Sequence, residues 1–354
     1  MSRDGDRGAA APRGIDAERV TAWLCANLEG VEPPLAFSLI AGGHSNLTYR
    51  VSDATGKLYV LRRPPLGSVL ATAHDMAREH RIISALRASA VPVPPALALC
   101  EDAGVNDAPF YVMAHVAGRV IIDSATAREY LEEPQRRRLG EDVVDVLAAL
   151  HTTPPDAVGL GDLGRRENYL SRQLARWRKQ WESSKTRELP TMETVYEALR
   201  DRMPKQHGAA IVHGDYRLGN MIVGPEGRIA ALLDWELCTL GDPLADLGYL
   251  LNDWADAGER GPTARTAPSP SAAGGFPTRE QVAARYAELT GSDVSQIAYY
   301  RAFQYWRLAA IVEGVLSRYL KGVMGHRGEP DAFRAQVDGL AAAAEEVIRQ
   351  GGAG

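Results

Sequence analysis

A change in residue pattern near Gly118 constrains the fold of this chain more than any other feature of its sequence. Before Gly118, short runs rich in β-branched and aromatic residues alternate with Gly, Asp and Pro, a pattern that predicts strands. The predicted strands are 37–40, 47–51, 58–62, 96–100 and 110–113. One helical pattern, over 74–86, interrupts them. The first third of the chain is therefore expected to form a small, mostly antiparallel sheet with one packed helix.

After Gly118, apolar residues recur at helical spacing over much longer stretches. The predicted helices are 135–151, 167–183, 191–203, 278–290, 294–320 and 331–349. A β-rich first part followed by a mainly helical part is an α+β arrangement, with a cleft expected between two lobes.

The composition excludes several classes of protein. Forty basic against 45 acidic residues give a formal net charge of -5, which argues against a nucleic-acid binder that neutralises phosphates. The three cysteines lack the spacing of a thiolate zinc site or a disulfide framework, so a reducing, cytoplasmic compartment is expected. No apolar run reaches the length of a membrane span, and the N-terminus has no apolar signal segment.

Polar side chains concentrate around three short predicted strands, at 210–213, 221–223 and 229–234. Asp215 and Asn220 lie at the two ends of one loop, and Asp234 follows in the next strand, so these oxygen donors should meet at one end of a hairpin. A phosphoryl transfer needs a carboxylate beside the acceptor hydroxyl and oxygen ligands that hold Mg²⁺ against nucleotide phosphates. His213 can fix the loop by hydrogen bonds to backbone. The alternative is that His213 and Asp215 only cap turns between strands.

The order of these residues resembles the kinase-like fold, with His-Gly-Asp in place of His-Arg-Asp and Asp-Trp-Glu in place of Asp-Phe-Gly. It is similar to the aminoglycoside phosphotransferase family, which implies a bilobal protein-kinase-like fold that uses ATP and Mg²⁺. The resemblance implies that Asp215 is the catalytic base or orients the acceptor hydroxyl. It makes Asn220 and Asp234 magnesium ligands. It places Arg217 where the family has a lysine that contacts the transferred phosphate.

The segment 242–246 extends the resemblance, because the family has an Asp-Pro-x-x-Asp segment that opens a helix and braces the catalytic loop. By this resemblance Asp246 and His213 support the site without contacting substrate. Asp242, directly before Pro243, is also an ordinary helix cap, and this structural interpretation is preferred for it.

The first lobe carries the expected nucleotide-binding residues. Glycines between two predicted strands would let backbone amides approach phosphates, and the loop residues concerned are Gly42, Gly43 and Ser45. Arg62 lies on the strand where kinases carry a phosphate-binding lysine, and Glu79 in the next helix is its natural partner. The alternatives are an ordinary Gly-Gly hairpin for the loop and a surface position for Glu79.

The residues after the strand at 110–113 resemble the hinge between kinase lobes, whose backbone meets adenine. The expected contacts are Met113, Ala114 and Val116. His115, in the same segment, is not expected to act as a ligand or base.

The resemblance extends to a narrower branch, the kinase-like domains joined to acyl-CoA dehydrogenases, and covers roughly residues 30–325. It is carried by the segments 45–49, 60–67, 73–74, 78–79, 91–94 and 172–177. In that branch the arginine at the lysine position is usual, so Arg62 is a feature of the branch.

The acceptor is expected to be a small molecule, because seven residues between Asp234 and Asp242 leave no room for the activation segment on which protein kinases dock peptides. Seven acidic residues against one basic over 234–260 suit a polycation such as an aminoglycoside. Eight basic against four acidic residues over 160–190, with Trp177 and Trp181, favour an anionic acceptor such as a hydroxyacyl-CoA or hydroxy acid. The alternative is that the two tryptophans form a core stripe under a solvated basic face.

The sequence thus predicts an ATP- and Mg²⁺-dependent small-molecule O-phosphotransferase without nucleic-acid or membrane partners. The second hypothesis is a nucleotide-binding pseudokinase that acts as a sensor or partner in lipid metabolism; a protein kinase ranks third. The expected organisation is a disordered tail over 1–14, a nucleotide-binding lobe over 15–114, a catalytic and acceptor-binding lobe over 115–350, and a mobile surface loop over about 258–278.

Overall fold

The computed structural model describes residues 12–41, 46–67, 75–256, 259, 268–322 and 329–351. These residues form two compact units: the first takes the chain up to 88 and 92–117, and the second takes 89–91 and the chain from 118 onward. No helix within the described ranges combines the length and apolar character needed to cross a membrane.

The first unit contains a five-stranded sheet in which every neighbouring pair is antiparallel. Its strands are β1 (Ala36–Ala41), β2 (Leu47–Ser52), β3 (Leu58–Arg63), β4 (Ala96–Cys100) and β5 (Phe110–Ala114). Their spatial order is β1-β2-β3-β5-β4. All five strands were predicted from the sequence, because short runs of β-branched and aromatic residues bounded by Gly, Asp and Pro are a local signal.

Three helices accompany this sheet: α1 (Ala17–Asn27), α2 (Met76–Leu86) and α3 (Ala103–Asn106). The sequence predicted only α2, which begins after Asp75, whose side chain accepts the Arg78 N–H at 2.9 Å. The unpredicted α1 contributes Val20 and Leu24 to the core on one face of the sheet.

Part of the predicted disordered tail contacts this unit. Residues 1–11 lie outside the described residues, but the carbonyl of Arg13 accepts the Tyr49 hydroxyl at 2.6 Å. The carbonyl of Gly14 accepts a hydrogen bond from the buried Arg63 guanidinium. The described end of the tail is therefore attached to β2 and β3.

The second unit is mainly helical. Its helices are α4 (Ser124–Tyr130), α5 (Glu133–Thr152), α6 (Tyr169–Ser184), α7 (Pro190–Asp201), α8 (Leu244–Asp253), α9 (Arg279–Thr290), α10 (Ile297–Leu320) and α11 (Pro330–Gln350). Its strands are β6 (Arg119–Val120), β7 (Ala210–Val212), β8 (Met221–Val223), β9 (Ile229–Leu232) and β10 (Thr239–Gly241). The strands form two small sheets, β10-β7 and β6-β8-β9.

Helix α10 is buried on most of its circumference, because α6, α8 and α11 pack around it. Its Trp306 is fully buried, and the indole N–H donates to the Met192 carbonyl at 3.0 Å. Helix α8 approaches α10 closely at Gly248, where an added Cβ would lie 2.8 Å from the Cβ of Tyr300. This packing holds α8 and α10 against the strands that carry the candidate site.

The described part of the predicted surface loop, 268–278, is packed. It contains a short 3-10 turn, Pro270–Ala273, in which Ser271 is buried and its hydroxyl accepts the Ala255 N–H at 2.7 Å. Trp254 donates its indole N–H to the Pro277 carbonyl at 2.9 Å. The glycine and proline content of the segment does not reveal this packing, because the hydrogen-bond partners, Trp254 and Ala255, directly follow α8. Residues 257–258 and 260–267 lie outside the described residues.

Candidate active site

The loop between β7 and β8 carries Asp215, Arg217 and Asn220. Asn220 ends a short 3-10 turn, Leu218–Asn220, directly before β8. Its amide nitrogen donates to Oδ2 of Asp215 at 2.7 Å and to the Asp215 carbonyl at 2.9 Å. Both bonds use the nitrogen, so the amide oxygen takes part in neither. The side chains of Asp215 and Asn220 are therefore held together as the sequence predicted.

The turn into this loop requires glycine at position 214. Gly214 has φ +84°, and an added Cβ would lie 2.9 Å from both the Cβ and the carbonyl oxygen of Leu237. A side chain would meet both a strained backbone and a clash there. Gly214 thus allows the chain to turn tightly between His213 and Asp215.

Asp234 lies two residues beyond β9, in a left-handed backbone conformation with φ +68° and ψ +67°. This conformation is uncommon outside glycine, and it persists where the surrounding structure imposes it. The adjoining Leu233 N–H donates to the Asn220 carbonyl at 2.8 Å. Since Met221 pairs with Leu232, Asn220 and Asp234 leave the β8–β9 hairpin at the same end. The predicted convergence of this backbone is confirmed.

His213 joins the two segments. Its fully buried ring has Nε2 2.9 Å from the Leu233 carbonyl, while Nδ1 accepts the Asp215 N–H at 3.2 Å. A backbone donor at Nδ1 and a backbone acceptor at Nε2 require the neutral tautomer with its proton on Nε2. The ring also lies against Trp235, with centroids 4.8 Å apart. His213 therefore holds the loop by backbone hydrogen bonds, as predicted.

Asp246 on α8 supports the same loop. Its fully buried carboxylate accepts the N–H groups of His213 at 2.6 Å and Gly214 at 2.9 Å. The ring of His151 adds a contact at 3.3 Å. Burial alone would raise the pKa of Asp246. The hydrogen bond and charge of His151, together with the hydrogen bond from the Gly214 amide, outweigh burial and lower this pKa below its ordinary value.

Asp242 precedes Pro243, which is the N-cap residue of α8, so the predicted cap position is one residue off. The Asp242 side chain accepts the Leu244 N–H at 3.1 Å at the start of α8. The other oxygen accepts the Tyr300 hydroxyl at 2.8 Å and the His207 N–H at 3.0 Å. Asp242 therefore also connects α8 to α10.

Arg217 lies beside Asp215, with Nε 3.3 Å from Oδ1 and both side chains partly exposed. Burial lowers the pKa of Arg217, but the charges of Asp215 and Asp253 outweigh this effect and leave the pKa above its ordinary value.

Tyr249 on α8 is a site residue that was not predicted from the sequence. Burial and then the Asp215 charge raise the pKa of its hydroxyl well above the ordinary value. Its position three residues after Asp246 on α8 is a helical spacing that could have indicated it.

A second missed residue is Arg307 on α10. Its Nη2 donates to the Gly214 carbonyl at 3.1 Å, although the two residues are 93 positions apart. Its guanidinium also lies 5.4 Å from the ring centroid of Trp177 on α6. No local pattern in the sequence signals this contact, because it depends on how α6 and α10 pack.

The two tryptophans predicted as a pair on α6 have different environments. Trp181 is fully buried, which agrees with a core position, and its indole N–H lies 3.3 Å from Glu193. Trp177 is half-buried and faces Arg307. The core interpretation therefore holds for Trp181 but not for Trp177.

In the first unit, Arg62 and Glu79 form the predicted ion pair, with Nε 2.9 Å from Oε2. Glu79 is buried, which excludes the surface alternative. Its carboxylate also accepts the Asn46 amide at 2.8 Å and the Tyr111 hydroxyl at 3.1 Å. These two partners, which the sequence analysis did not identify, fix the carboxylate that orients Arg62.

The remaining predicted nucleotide contacts are only partly described. Gly42, Gly43 and Ser45 lie outside the described residues. Met113 and Ala114 end β5, and the Ala114 N–H donates to the Pro95 carbonyl at 2.9 Å. A ligand contact at Ala114 would therefore use its carbonyl, and Val116 follows two residues later.

The donor set at the hairpin end fits magnesium. Mg²⁺ takes oxygen ligands, commonly one or two from the protein, with waters and phosphates completing the octahedron. Asn220 offers an amide oxygen and Asp234 a carboxylate. The described residues contain no group of three or more His, Cys, Asp or Glu side chains suited to a metal, so nothing in them forms an all-protein metal cage.

Comparison with known proteins places this geometry in a family. Residues 36–285 match the model of the phosphotransferase enzyme family. Mouse acyl-CoA dehydrogenase family member 10 is 36% identical over 293 residues, which are 79% of this chain and 26% of that protein. Human acyl-CoA dehydrogenase family member 11 is 32% identical over 334 residues, 90% of this chain and 41% of that protein. The chain thus spans less than half the length of these curated relatives.

Solved structures agree with this assignment. The crystal structure of a candidate aminoglycoside phosphotransferase from Ralstonia eutropha is 34% identical, covers 95% of this chain and 99% of its own, and superposes with a TM-score of 0.80. A thermostable mutant of aminoglycoside phosphotransferase APH(4)-Ia, in ternary complex with AMP-PNP and hygromycin B, shares the fold at 16% identity and a TM-score of 0.59, over 95% of this chain and 99% of its own. The kinase-like α+β fold is therefore confirmed, and the chain belongs to the phosphotransferase enzyme family.

Proposed function

We propose that this protein is an ATP- and Mg²⁺-dependent O-phosphotransferase that transfers the γ-phosphoryl group to a hydroxyl of a small molecule. The observation that carries the proposal is the fixed Asp215 carboxylate. One oxygen is held by the Asn220 amide at 2.7 Å and the other by Arg217 at 3.3 Å. A carboxylate held in this way can receive or orient the proton of an attacking hydroxyl with little reorganisation.

In the proposed reaction, the acceptor oxygen forms a bond to the γ-phosphorus while the bond from that phosphorus to the β-phosphate oxygen breaks. The hydroxyl proton passes toward Asp215, and ADP leaves. Catalysis of this kind consists mainly of positioning and charge neutralisation. Arg217, 31% exposed beside Asp215, is available to the transferred phosphate.

Asn220 and Asp234 would hold Mg²⁺, which neutralises phosphate charge when bound. The left-handed conformation of Asp234 supports a functional role, because such strain is retained where the surroundings impose it. Asn220 would offer its amide oxygen to the metal while its nitrogen donates to Asp215. The metal site and the base would thus share one side chain.

The first unit would bind the nucleotide. Arg62, oriented by the buried Glu79, would contact ATP phosphates. Gly42, Gly43 and Ser45 would supply backbone amides to the same phosphates. The adenine ring would meet Met113, the Ala114 carbonyl and Val116. Proteins of this fold have been solved with AMP-PNP, in APH(4)-Ia, and with GDP, in aminoglycoside 2'-phosphotransferase-IIIa, which supports a purine nucleotide for this site.

For the acceptor, we propose a hydroxyacyl-CoA or hydroxy acid in preference to an aminoglycoside. Support comes from α6, whose Trp177 lies against Arg307, which in turn holds the residue before Asp215. The basic helix therefore borders the catalytic loop within the second unit. Arg178 is neutralised by Glu182 and Glu193, whereas Arg176 is exposed and stacks on Trp177 at 5.2 Å.

The test is incubation with ATP, Mg²⁺ and two acceptor panels, aminoglycosides on one side and hydroxy acids with their coenzyme A thioesters on the other. Phosphate esters are detected by mass spectrometry. We expect product from the second panel, none from Asp215→Asn, and wild-type yield from Asp331→Asn, whose side chain is 92% exposed. Product from aminoglycosides alone would overturn the acceptor class, and no product from either panel would overturn the proposed activity.

A further inference from the structure

Arg307 is a buried cation without an ion-pair partner among the residues that the structure describes. It is 8% exposed. Nη1 donates to Oε1 of Gln304 at 2.8 Å and Nη2 to the Gly214 carbonyl at 3.1 Å, whereas Nε has no hydrogen-bond partner there. Both acceptors are neutral oxygens. The positive charge therefore lies in the interior with no carboxylate of the described residues within ion-pair distance.

Such an arrangement destabilises the fold, because a buried charge without a counter-charge loses hydration that no ion pair replaces. Two aromatic faces offset part of this loss: the guanidinium lies 5.4 Å from the Trp177 centroid and 5.9 Å from that of Tyr249. Arg178 on α6, by contrast, is neutralised in the usual way by ion pairs with two glutamates. Arg307 thus lacks the carboxylate partner that would neutralise its charge in the folded protein.

The position of this charge links it to the candidate site. Arg307 donates to the carbonyl of Gly214, the residue before Asp215. Tyr249 lies close enough to Asp215 that the carboxylate charge raises the pKa of the Tyr249 hydroxyl. Trp177 and Tyr249 are only half-buried. Gln304 is itself fixed, because its amide nitrogen donates to the Ala245 carbonyl at 2.7 Å. The stack of Trp177, Arg307 and Tyr249 is therefore a rigid positive site beside the proposed base.

We infer that Arg307 is a specificity-determining residue that binds an acyl oxygen of the acceptor, while the acceptor hydroxyl lies at Asp215. This inference rests on the proposed function. The acyl oxygen belongs either to the carboxylate of a hydroxy acid or to the thioester carbonyl of a hydroxyacyl-CoA, since both present an electron-rich oxygen to a guanidinium. An alcohol without an acyl oxygen lacks the group that Arg307 binds and is a poor acceptor.

The test compares three acceptors: a hydroxyoctanoate, its coenzyme A thioester, and the octanediol that carries a hydroxyl at the same carbon but no acyl oxygen. The proteins are the wild type, Arg307→Lys, Trp177→Leu and the control Arg318→Lys, whose side chain is exposed on the same helix. Steady-state kcat/KM is measured for each acceptor, and the thermal shift with ATP and Mg²⁺ reports the nucleotide site. Trp177→Leu keeps the test informative if Arg307→Lys does not fold.

We expect kcat/KM for the acyl acceptors to be about 10- to 100-fold lower in Arg307→Lys than in the wild type. This is the range for losing a hydrogen bond to a charged group. Trp177→Leu should show a smaller loss. In both variants kcat/KM for octanediol should fall less than kcat/KM for the acyl acceptors, and the ATP shift should stay constant. Preference for the free acid or the thioester in the wild type identifies the source of the acyl oxygen.

Equal losses with acyl acceptors and octanediol in Arg307→Lys would show that Arg307 only supports the Gly214 loop, which overturns the inference but not the phosphotransferase function. Wild-type turnover of octanediol as fast as the acyl compounds would overturn it too. Absence of turnover with every hydroxyl compound, together with no thermal shift from ATP and Mg²⁺, would overturn the proposed function itself.

Discussion

His213 ties the loop that carries Asp215 to the backbone that carries Asp234, because its Nε2–H donates to the Leu233 carbonyl 2.9 Å away. The other ring nitrogen accepts the Asp215 N–H at 3.2 Å. One neutral side chain thus sets the relative position of the proposed base and a proposed metal ligand, which come from different strands. The relative position of Asp215 and Asp234 therefore depends on a buried residue that supports the site from behind.

The first prediction concerns His213→Phe, which keeps the packing against Trp235 but removes both ring hydrogen bonds. Two buried backbone groups lose their partners, at about 1–3 kcal/mol each. We expect a lower free energy of unfolding in urea, and a kcat that falls more than the affinity for ATP. The control is Asp331→Asn, whose side chain is 92% exposed and far along the chain from the site residues. A variant with wild-type kcat would contradict the positioning role.

The second prediction concerns the pH dependence contributed by Asp246. Its folded pKa lies below the ordinary value of 3.8, so the ionised carboxylate stabilises the fold above that value, and this contribution is lost as the pH falls through the folded pKa. Asp246→Asn cannot accept both the His213 and Gly214 N–H groups. It should destabilise the protein by about 3–5 kcal/mol near neutral pH.

Urea unfolding at a series of pH values checks this sign. Below pH about 4, the stability difference between wild type and Asp246→Asn should narrow, because the wild-type carboxyl becomes protonated. A difference that is constant from neutral pH down to acid unfolding would show that Asp246 acts without its charge.

The third prediction concerns Glu79→Gln in the first unit. The substitution keeps the size of the side chain but removes the charge that orients Arg62 at 2.9 Å. Because the Glu79 carboxylate is buried, we expect KM for ATP to rise about tenfold or more while KM for the acceptor is unchanged. Glu18→Gln on α1 provides an exposed control. Equal changes in both KM values would indicate a general folding defect.

The sequence predicted the elements that carry local signals, including all five strands of the first unit and the β7–β8–β9 segment with Asp215, Asn220 and Asp234. Short-range spacing sufficed there, since the three residues lie within 20 positions of one another. It also predicted the Arg62–Glu79 pair, but only through the family resemblance.

The rest depends on tertiary packing that spacing does not encode. Arg307 reaches Gly214 only because α10 packs beside α8, and Trp177 reaches Arg307 only because α6 packs on α10. Helix α1 was missed although it is capped by Asp16, which accepts the Arg19 N–H at 3.1 Å. Only two of its residues, Val20 and Leu24, are buried, so its helical periodicity is weak.

Asp234 is proposed to help form a nucleotide–magnesium site. The most direct measurement is a thermal unfolding scan of the wild type and Asp234→Ala, with ATP or GTP, in the presence and absence of Mg²⁺. A ligand at about 100 times its dissociation constant stabilises the folded state by roughly 2.7 kcal/mol. We predict this stabilisation for wild type with nucleotide and Mg²⁺ and its loss in Asp234→Ala. An equal shift in both proteins would contradict the proposed role of Asp234, and no shift under any condition would contradict the nucleotide site itself.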